Sequence, residues 1–121
     1  YSRWYWCAAM PKQARKSALA AANRGAIEVP LQVMRVSARA FPLLRAMAAE
    51  GNPASASDAG VGALAVRAAI RGAGLNVRIN LPGLGDPALA ATLRQEADGL
   101  VAAAEVEEQE VLALVEAQLK G

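Results

Sequence analysis

The sequence has no histidine and a single cysteine, Cys7. A histidine-based catalytic triad, a histidine-ligated zinc site and a disulfide within the chain are therefore excluded. A lone thiol fits a reducing, cytoplasmic setting. A nucleophilic thiol needs an activating base, and none is evident near Cys7, so we interpret it as a small buried apolar residue.

Aromatic residues make up only 4% of the chain, β-branched runs are absent, and about a quarter of the residues are alanine. Alanine is the strongest helix former, whereas strands are rich in the residue types that are scarce here. A charged residue interrupts every apolar run before it reaches the ~18–20 residues of a membrane span. The composition predicts an all-α fold with no membrane segment. Because the chain starts at Tyr1 within a helical pattern, we expect residues 1–121 to be the C-terminal part of one domain.

Charge is distributed unevenly along the chain, although the net charge is only +2. Residues 1–80 carry 11 Lys and Arg against 3 Asp and Glu, while residues 81–121 carry 2 against 8. The small net charge gives no indication of a nucleic-acid or membrane partner. Halves of opposite charge are typical of surfaces that pack together within a fold or across a subunit contact. A basic face for a polyanionic ligand is the alternative.

Prolines and capping residues divide the chain into long helices. Pro30 is expected to interrupt or kink a helix, and Pro42 to kink it again, because an internal proline removes a hydrogen bond and crowds the previous turn. Glu50–Pro53 predicts a stop and a turn, with a left-handed cap at the glycine. The segment 82–85 predicts a second loop. Asp86 then caps the last helix, whose first residue is proline.

A further cap is expected before the middle helix. Ser55 is the candidate N-cap, and Asp58 lies three residues later in the position of a capping box. This helix also contains several glycines, each of which costs roughly 1 kcal/mol relative to alanine. They are Gly60, Gly62, Gly72 and Gly74. Their presence predicts the close approach of another helix or of a ligand.

Apolar residues recur at helical steps of three and four in three segments. The first stripe is Leu31, Met34, Ala38, Phe41, Leu44 and Ala48. The second is Val61, Leu64, Ala68, Gly72, Leu75 and Ile79. The third is Leu89, Leu93, Ala97, Leu100, Ala104, Val111, Val115 and Leu119. The last helix would be on the order of 50 Å long, more than a chain of this size can cover. We therefore predict an antiparallel bundle of long, kinked helices, with the last helix packed in a homodimer or larger assembly.

Two motifs carry a family resemblance. They are Gly51-Asn52-Pro53 through Ser57-Asp58, and Leu75-Asn76-Val77-Arg78-Ile79-Asn80-Leu81, supported upstream by Val29-Pro30-Leu31 and Met10-Pro11-Lys12. In their order and spacing they resemble the formimidoyltetrahydrofolate cyclodeaminase and methenyltetrahydrofolate cyclohydrolase family. In that family a kinked helix leads to the first motif, a helix ends in the second, and a long amphipathic helix follows. The resemblance covers essentially all 121 residues.

The resemblance implies a role in one-carbon tetrahydrofolate metabolism. Members either release ammonia from 5-formimidoyltetrahydrofolate and close the methenyl ring, or hydrate methenyltetrahydrofolate. Both reactions pass through a tetrahedral carbon and need a proton donor or acceptor, a role that suits a carboxylate. The implied partner is a small-molecule folate, with no metal or redox cofactor. The family's N-terminal glycine-rich segment is absent here, and its catalytic aspartate would lie upstream of Tyr1, so we expect this chain alone to be inactive.

The candidate substrate-binding residues are the polar residues of the two motifs: Asn52, Ser57, Asp58, Asn76 and Asn80. Asp58 is also the one catalytic candidate, although a carboxylate at a helix start is equally explained by the helix dipole. Asn76 and Asn80 lie four residues apart and share a helical face. Buried amides need partners, which would be neighbouring helices or the hydrogen-bonding edge of a pterin.

Several arginines are spaced to lie on common helical faces, with Arg67, Arg71 and Arg78 in one group and Arg35 and Arg39 in another. We expect them to pair with the carboxylates of the last helix, which include Glu105, Glu107, Glu108 and Glu110. The alternative is that they attract the glutamate tail of a folate. A second function of a different class also stays open, namely a non-catalytic helical oligomerisation module derived from the same family.

Overall fold

The computed structural model describes residues 9–121, so the prediction on Cys7 lies outside the described part. From Lys12 to the C-terminus, four helices follow one another: α1 (Lys12–Ala38), α2 (Phe41–Glu50), α3 (Ala56–Asn80) and α4 (Pro87–Lys120). Short 3₁₀ turns, Pro53–Ser55 and Leu81–Leu84, precede α3 and α4 respectively. Residues 9–121 contain no strand. The all-α prediction is confirmed.

The two internal prolines have different effects. Pro42 lies in the first turn of α2, and the residue four positions earlier, Ala38, is the last residue of α1. This break fits the clash between a proline ring and the carbonyl group one turn before it. α1 instead runs through Pro30 without ending, so an interruption there is wrong. The residues around Pro30 are held by burial, since Ile27 and Leu31 are almost fully buried.

The turn between α2 and α3 differs from its predicted form. Gly51 has φ −76°, not a left-handed value, and a Cβ added there would collide with the carbonyl group of Met47. Ser55 occupies the N-cap position of α3, but its side chain makes no capping hydrogen bond. The capping box with Asp58 is therefore not formed. Asn52 caps the 3₁₀ turn instead, where its Oδ1 accepts a hydrogen bond from the backbone N–H of Ala54 at 3.0 Å.

The start of α4 agrees with the sequence. Asp86 Oδ1 accepts a hydrogen bond from the backbone N–H of Leu89 at 3.0 Å, and Pro87 is the first helical residue. The left-handed glycine of this connection is Gly85, with φ +75°. The predicted loop is mostly a 3₁₀ turn, but the turn-and-cap arrangement is confirmed.

The helices form a bundle in which α3 is antiparallel to its neighbours. Gly60 near the start of α3 lies against Val115 near the end of α4, and Gly74 lies against Val101 and Met34. α1 and α2 run in the same direction as α4, because Arg35 pairs with Glu96 and Arg45 with Glu107. All four helices contribute larger core side chains: Ile27, Leu31, Met34, Phe41, Ile70, Val77, Val111 and Val115.

α3 faces its neighbours mainly with small residues. Its buried residues are Ala56, Ala59, Gly60, Ala63, Ala73 and Gly74, together with the larger Ile70 and Val77. The predicted second stripe lies on the other side of the helix, where Val61 and Ile79 are 65% and 77% exposed. The stripe does mark one face of α3, but that face points away from the core. Alanine and glycine predominate on the core face, and the neighbouring helix approaches closely, since a Cβ on Gly62 would lie 2.7 Å from Leu44 Cδ2.

The predicted stripe of α4 is largely covered by the chain itself. Ala97, Ala104, Val111 and Val115 are buried, and only the ends of the stripe remain open. Because α2 and the first half of α3 pack along the second half of α4, less of this helix is uncovered than its length alone predicts. Within the described residues, none of the helices has the length and hydropathy needed to cross a membrane.

Candidate functional site

Among residues 9–121, grooves lie between three pairs of helices, and their electrostatic character differs. The groove between α3 and α4 includes Arg71, Arg78, Asp98 and Glu105, and the groove between α1 and α4 includes charged residues of both signs. The third, between α1 and α3, has a volume of about 520 Å³. It is lined by Gly25, Ala26, Val29, Pro30, Val33, Ala69, Ala73, Asn76 and Asn80. None of these is charged, so this groove suits a neutral, flat group.

Pro30 gives the α1/α3 groove a backbone hydrogen-bond acceptor. An α-helical N–H bonds to the carbonyl group four residues earlier, and proline has no N–H. The carbonyl group of Ala26 therefore receives no hydrogen bond from position 30, and both residues line the groove. Nearby Gly25 has nothing within 4 Å of where its Cβ would lie, which leaves this end of the groove open. A proline within a helical pattern is the sequence signal for such an acceptor, although the pattern alone predicts only a kink or an interruption.

Asn76 and Asn80 lie across the groove on α3. Asn80 is half-buried, and its Nδ2 donates a hydrogen bond to the backbone carbonyl of Asn76 at 2.8 Å. Its amide is thus satisfied within its own helix, and not by a neighbouring helix. Asn76 is exposed, and among the described residues its side chain makes no hydrogen bond. With the Ala26 carbonyl opposite, the groove presents both donors and acceptors to a ligand edge.

The other three candidates lie at the far end of α3. Asp58 precedes Asn76 by 18 residues on this helix, which is about 27 Å at the usual rise per residue. Ser57 and Asp58 are exposed in the first turn, and Asn52 is occupied with its cap. The five predicted residues therefore divide into two groups, of which only Asn76 and Asn80 line a groove together.

The ion-pair interpretation of the arginines is confirmed for Arg67, which lies 3.0 Å from Glu105 and 3.5 Å from Glu108. Arg45 pairs with Glu107 and Glu110. The sequence pattern did not single out Arg45. Its position next to Leu44, a residue of the first apolar stripe, does indicate that it lies at the edge of the core. Within residues 9–121, Arg39, Arg71 and Arg78 have no carboxylate within 4 Å.

Arg35 also forms an ion pair, with a carboxylate earlier on α4 than predicted. Its Nε and Nη2 donate to the two carboxylate oxygens of Glu96 at 2.6 and 2.8 Å. These hydrogen bonds lower the pKa of Glu96 below its ordinary value and raise the pKa of Arg35. The pair joins α1 to α4 and leaves the α1/α3 groove uncharged. Over residues 9–121, no cluster of three or more His, Cys, Asp or Glu is placed to hold a metal ion.

Comparison with known proteins places the sequence in a family. Residues 7–99 match the model of the formiminotransferase-cyclodeaminase family. A methenyltetrahydrofolate cyclohydrolase of Methylorubrum extorquens is 40% identical over 93 residues, which cover 77% of this chain and 45% of the relative. A pig formimidoyltransferase-cyclodeaminase is 36% identical over 107 residues, which cover 88% of this chain and 20% of the relative. The chain thus spans less than half the length of either relative. It belongs to the formiminotransferase-cyclodeaminase family, as the ordered motifs indicated.

Proposed function

We propose that this chain is part of an enzyme of one-carbon tetrahydrofolate metabolism, either a cyclodeaminase that releases ammonia or a methenyltetrahydrofolate cyclohydrolase. Family membership and the names of the two relatives support folate as the substrate class. The proposal also includes a cytoplasmic location, self-association as a homodimer or larger homo-oligomer, and no cofactor besides the folate.

The observation that carries the site proposal is the uncharged α1/α3 groove with its amides and backbone acceptor. A pterin ring is flat, neutral and edged with hydrogen-bond donors and acceptors. The groove volume of about 520 Å³ falls within the range of roughly 300–1,000 Å³ of small-molecule sites. The Asn76 amide on one side and the Ala26 carbonyl on the other would fix the ring by its polar edge.

Proton transfer is the part of the reaction that this groove does not provide. Its lining has no carboxylate, and Asp58 lies about 27 Å away along α3. We therefore propose that the catalytic carboxylate comes from elsewhere in the longer protein, and that Asp58 serves the start of α3. The chain alone would bind reduced folate weakly without turning it over.

Arg71 and Arg78 line the groove on the other flank of α3 from Asn76. A folate bound in the α1/α3 groove would have to extend across α3 for its glutamate tail to reach them. Their role in holding that tail stays a prediction, which a comparison of ligands with and without the glutamate tail would test.

Binding of 5-formyltetrahydrofolate, a stable reduced folate, tests the site by calorimetry. Asn76→Ala keeps the backbone carbonyl that Asn80 uses, and we expect about a three- to tenfold loss of affinity, the effect of one lost hydrogen bond. Ser57→Ala is the matched control, because Ser57 is an exposed polar residue at the other end of α3. Equal losses in both variants would contradict the groove assignment.

Turnover assays on the longer protein distinguish an enzyme from a non-catalytic oligomerisation module. The longer protein is incubated with 5-formimidoyltetrahydrofolate and with methenyltetrahydrofolate, and ammonia and methenyl absorbance are followed. Asp58→Asn is expected to leave turnover within about twofold, because the carboxylate is assigned no proton transfer. Absence of both reactions in the longer protein would favour the oligomerisation module, for which the exposed apolar side of α3 is the supporting observation.

A further inference from the structure

Another apolar stripe runs along the outward side of α1 and α2. Its large residues are 44–69% exposed: Leu19, Val29, Val33, Val36, Leu43 and Met47. Alanines occupy the helical positions between them, at 22, 26 and 40. From Leu19 to Met47 the intervals between successive stripe residues are three and four in strict alternation. We call these positions the α1/α2 seam.

The seam continues across the break between the two helices. Arg39 and Ala40 at the break keep right-handed helical dihedral angles, with φ −69° and −76°. Leu31 and Met34 of α1 are buried in the same core as Phe41 of α2, so the outward faces of both helices also point to one side. A strict seven-residue apolar repeat is typical of a helix that packs against another helix with a left-handed crossing.

The positions beside the seam carry little charge. They are 23, 30, 37 and 44 on one side and 25, 32, 39 and 46 on the other, and only position 39, an arginine, is charged. Helices that pair in solvent often have charged residues at such positions, where they set partner choice. Uncharged flanks instead fit a helix that is covered on both sides within a bundle. They favour a contact inside one folded domain over a contact with a separate protein.

The beginning of α1 also has little cover. Over residues 12–22 no side chain is buried, and only Arg15 is half-buried. These residues extend for about 16 Å. A helical stretch of that length gains most of its stability from packing. This part of α1 therefore requires a neighbour that the described residues do not supply.

We propose that a helix from the part of the longer protein outside residues 1–121 packs along the α1/α2 seam. The matched part is 45% of one relative and 20% of the other, so family members have chain available for this contact. The occupant has apolar residues at the same alternating intervals and few charges beside them. A second copy of this chain and a separate protein are the alternative occupants, which experiment distinguishes.

The same helix would close the α1/α3 groove. Ala26, Val29 and Val33 belong both to the seam and to the groove lining. Small-molecule sites bury roughly 70–90% of a ligand's surface, whereas Val29 and Val33 are exposed to solvent. The occupant of the seam therefore forms the roof of the site, and α1 and α3 form its walls. This step rests on the proposed folate function, but the contact along the seam does not.

Thiol labelling compares the seam in the two lengths of protein. Val36→Cys places a thiol on the seam, and Val106→Cys is the matched control, since the two valines are 52% and 58% exposed. Native cysteines, including Cys7, are replaced by serine, and thermal melts establish that the variants fold. In residues 1–121 we expect the two thiols to react at rates within about threefold of each other. In the longer protein the thiol at position 36 should react about tenfold more slowly or less, and the thiol at position 106 should be unchanged.

The remaining outcomes contradict the proposal. Fast labelling of position 36 in both purified lengths would overturn it and leave a separate protein as the occupant. Protection in residues 1–121 that rises with protein concentration would assign the seam to a second copy. Equal slowing of both thiols in the longer protein would show shielding that is not specific to the seam.

Folate binding tests the roof separately. Calorimetry with 5-formyltetrahydrofolate should give an affinity about tenfold higher in the longer protein than in residues 1–121, because the roof buries more of the ligand. A protected seam with equal affinities would refute the roof and retain the contact. Insensitivity to Asn76→Ala in both lengths would refute the groove assignment without affecting the labelling result.

Discussion

Glycine at position 51 and glycine at position 99 have opposite surroundings. A Cβ at position 51 would collide with the Met47 carbonyl group, whereas at position 99, inside α4, nothing lies within 4 Å. We expect Gly51→Ala to lower the free energy of unfolding by about 1–3 kcal/mol. Gly99→Ala should raise it by about 0.5–1 kcal/mol through helix propensity. Urea unfolding measures both, and a gain from Gly51→Ala would contradict the described geometry of this turn.

Glu96 should make stability depend on pH. Hydrogen bonds from Arg35 lower the pKa of the folded-state carboxyl, so the ionised form stabilises the fold. The contribution is present above the unfolded pKa of about 4.3, and it is lost as the pH falls through the lower folded-state pKa. Thermal melts should show Glu96→Gln less stable than wild type at pH 7, with the difference disappearing in acid. Glu50→Gln removes an exposed carboxylate of α2 that has no ion pair within residues 9–121, and it controls for the change in net charge.

Asn76, Asn80 and Asp58 show which details of a site the sequence does not determine. The spacing of Asn76 and Asn80 correctly placed them on one face, since a helix repeats every 3.6 residues. That Asn80 bonds to the backbone of Asn76 depends on a side-chain rotamer, which spacing does not determine. The motif that contains Asp58 is compatible with two local structures, a capping box and a capped 3₁₀ turn. The chain uses the 3₁₀ turn capped by Asn52 rather than the capping box.

Among the elements, α1 contains a proline where a helix would ordinarily exclude it. Pro30→Ala restores an N–H for the carbonyl of Ala26, so we expect the free energy of unfolding to rise by about 1–3 kcal/mol. If that carbonyl binds the folate, affinity should fall at the same time. Urea unfolding and calorimetry measure the two effects. Pro87→Ala is the control, because the first residue of α4 needs no N–H bond. If Pro30→Ala raised the stability but left the affinity for the folate unchanged, the Ala26 carbonyl group would not be part of the binding site.

Helix α3 is the element for which the apolar pattern was most misleading. The breaks near Pro42, near Gly51 and before Pro87 followed from prolines, glycine and the Asp86 cap, whose effects are local. The buried face of α3 did not follow, because periodicity gives weight to large residues such as Val61 and Ile79, and these point outward. Close packing favours alanine and glycine, which contribute little hydrophobicity each. In an alanine-rich bundle, the larger apolar stripe can therefore be the one left for another contact.

At the scale of the molecule, the opposed charge of the two halves was the more reliable signal. The prediction that the basic first part packs against the acidic last part is confirmed by the contacts of Arg35, Arg45 and Arg67 with α4. The length of α4 overstated how much of the helix is uncovered, because length alone does not show which part the neighbouring helices cover. The site itself could be predicted only in part, since the groove needs two helices whose relative placement is a tertiary property.

Every ion pair found in residues 9–121 has its carboxylate on α4. The contact between α1 and α3 has no such pair and depends on apolar packing alone. Added salt screens charges but strengthens apolar association when the salt is strongly excluded from protein surfaces. In a concentrated sulfate solution the two kinds of contact would therefore respond in opposite directions. The contact between α1 and α3, which forms the proposed folate groove, would gain stability, whereas α4 would gain it through buried apolar residues such as Val111 and Val115 and lose part of it through its ion pairs.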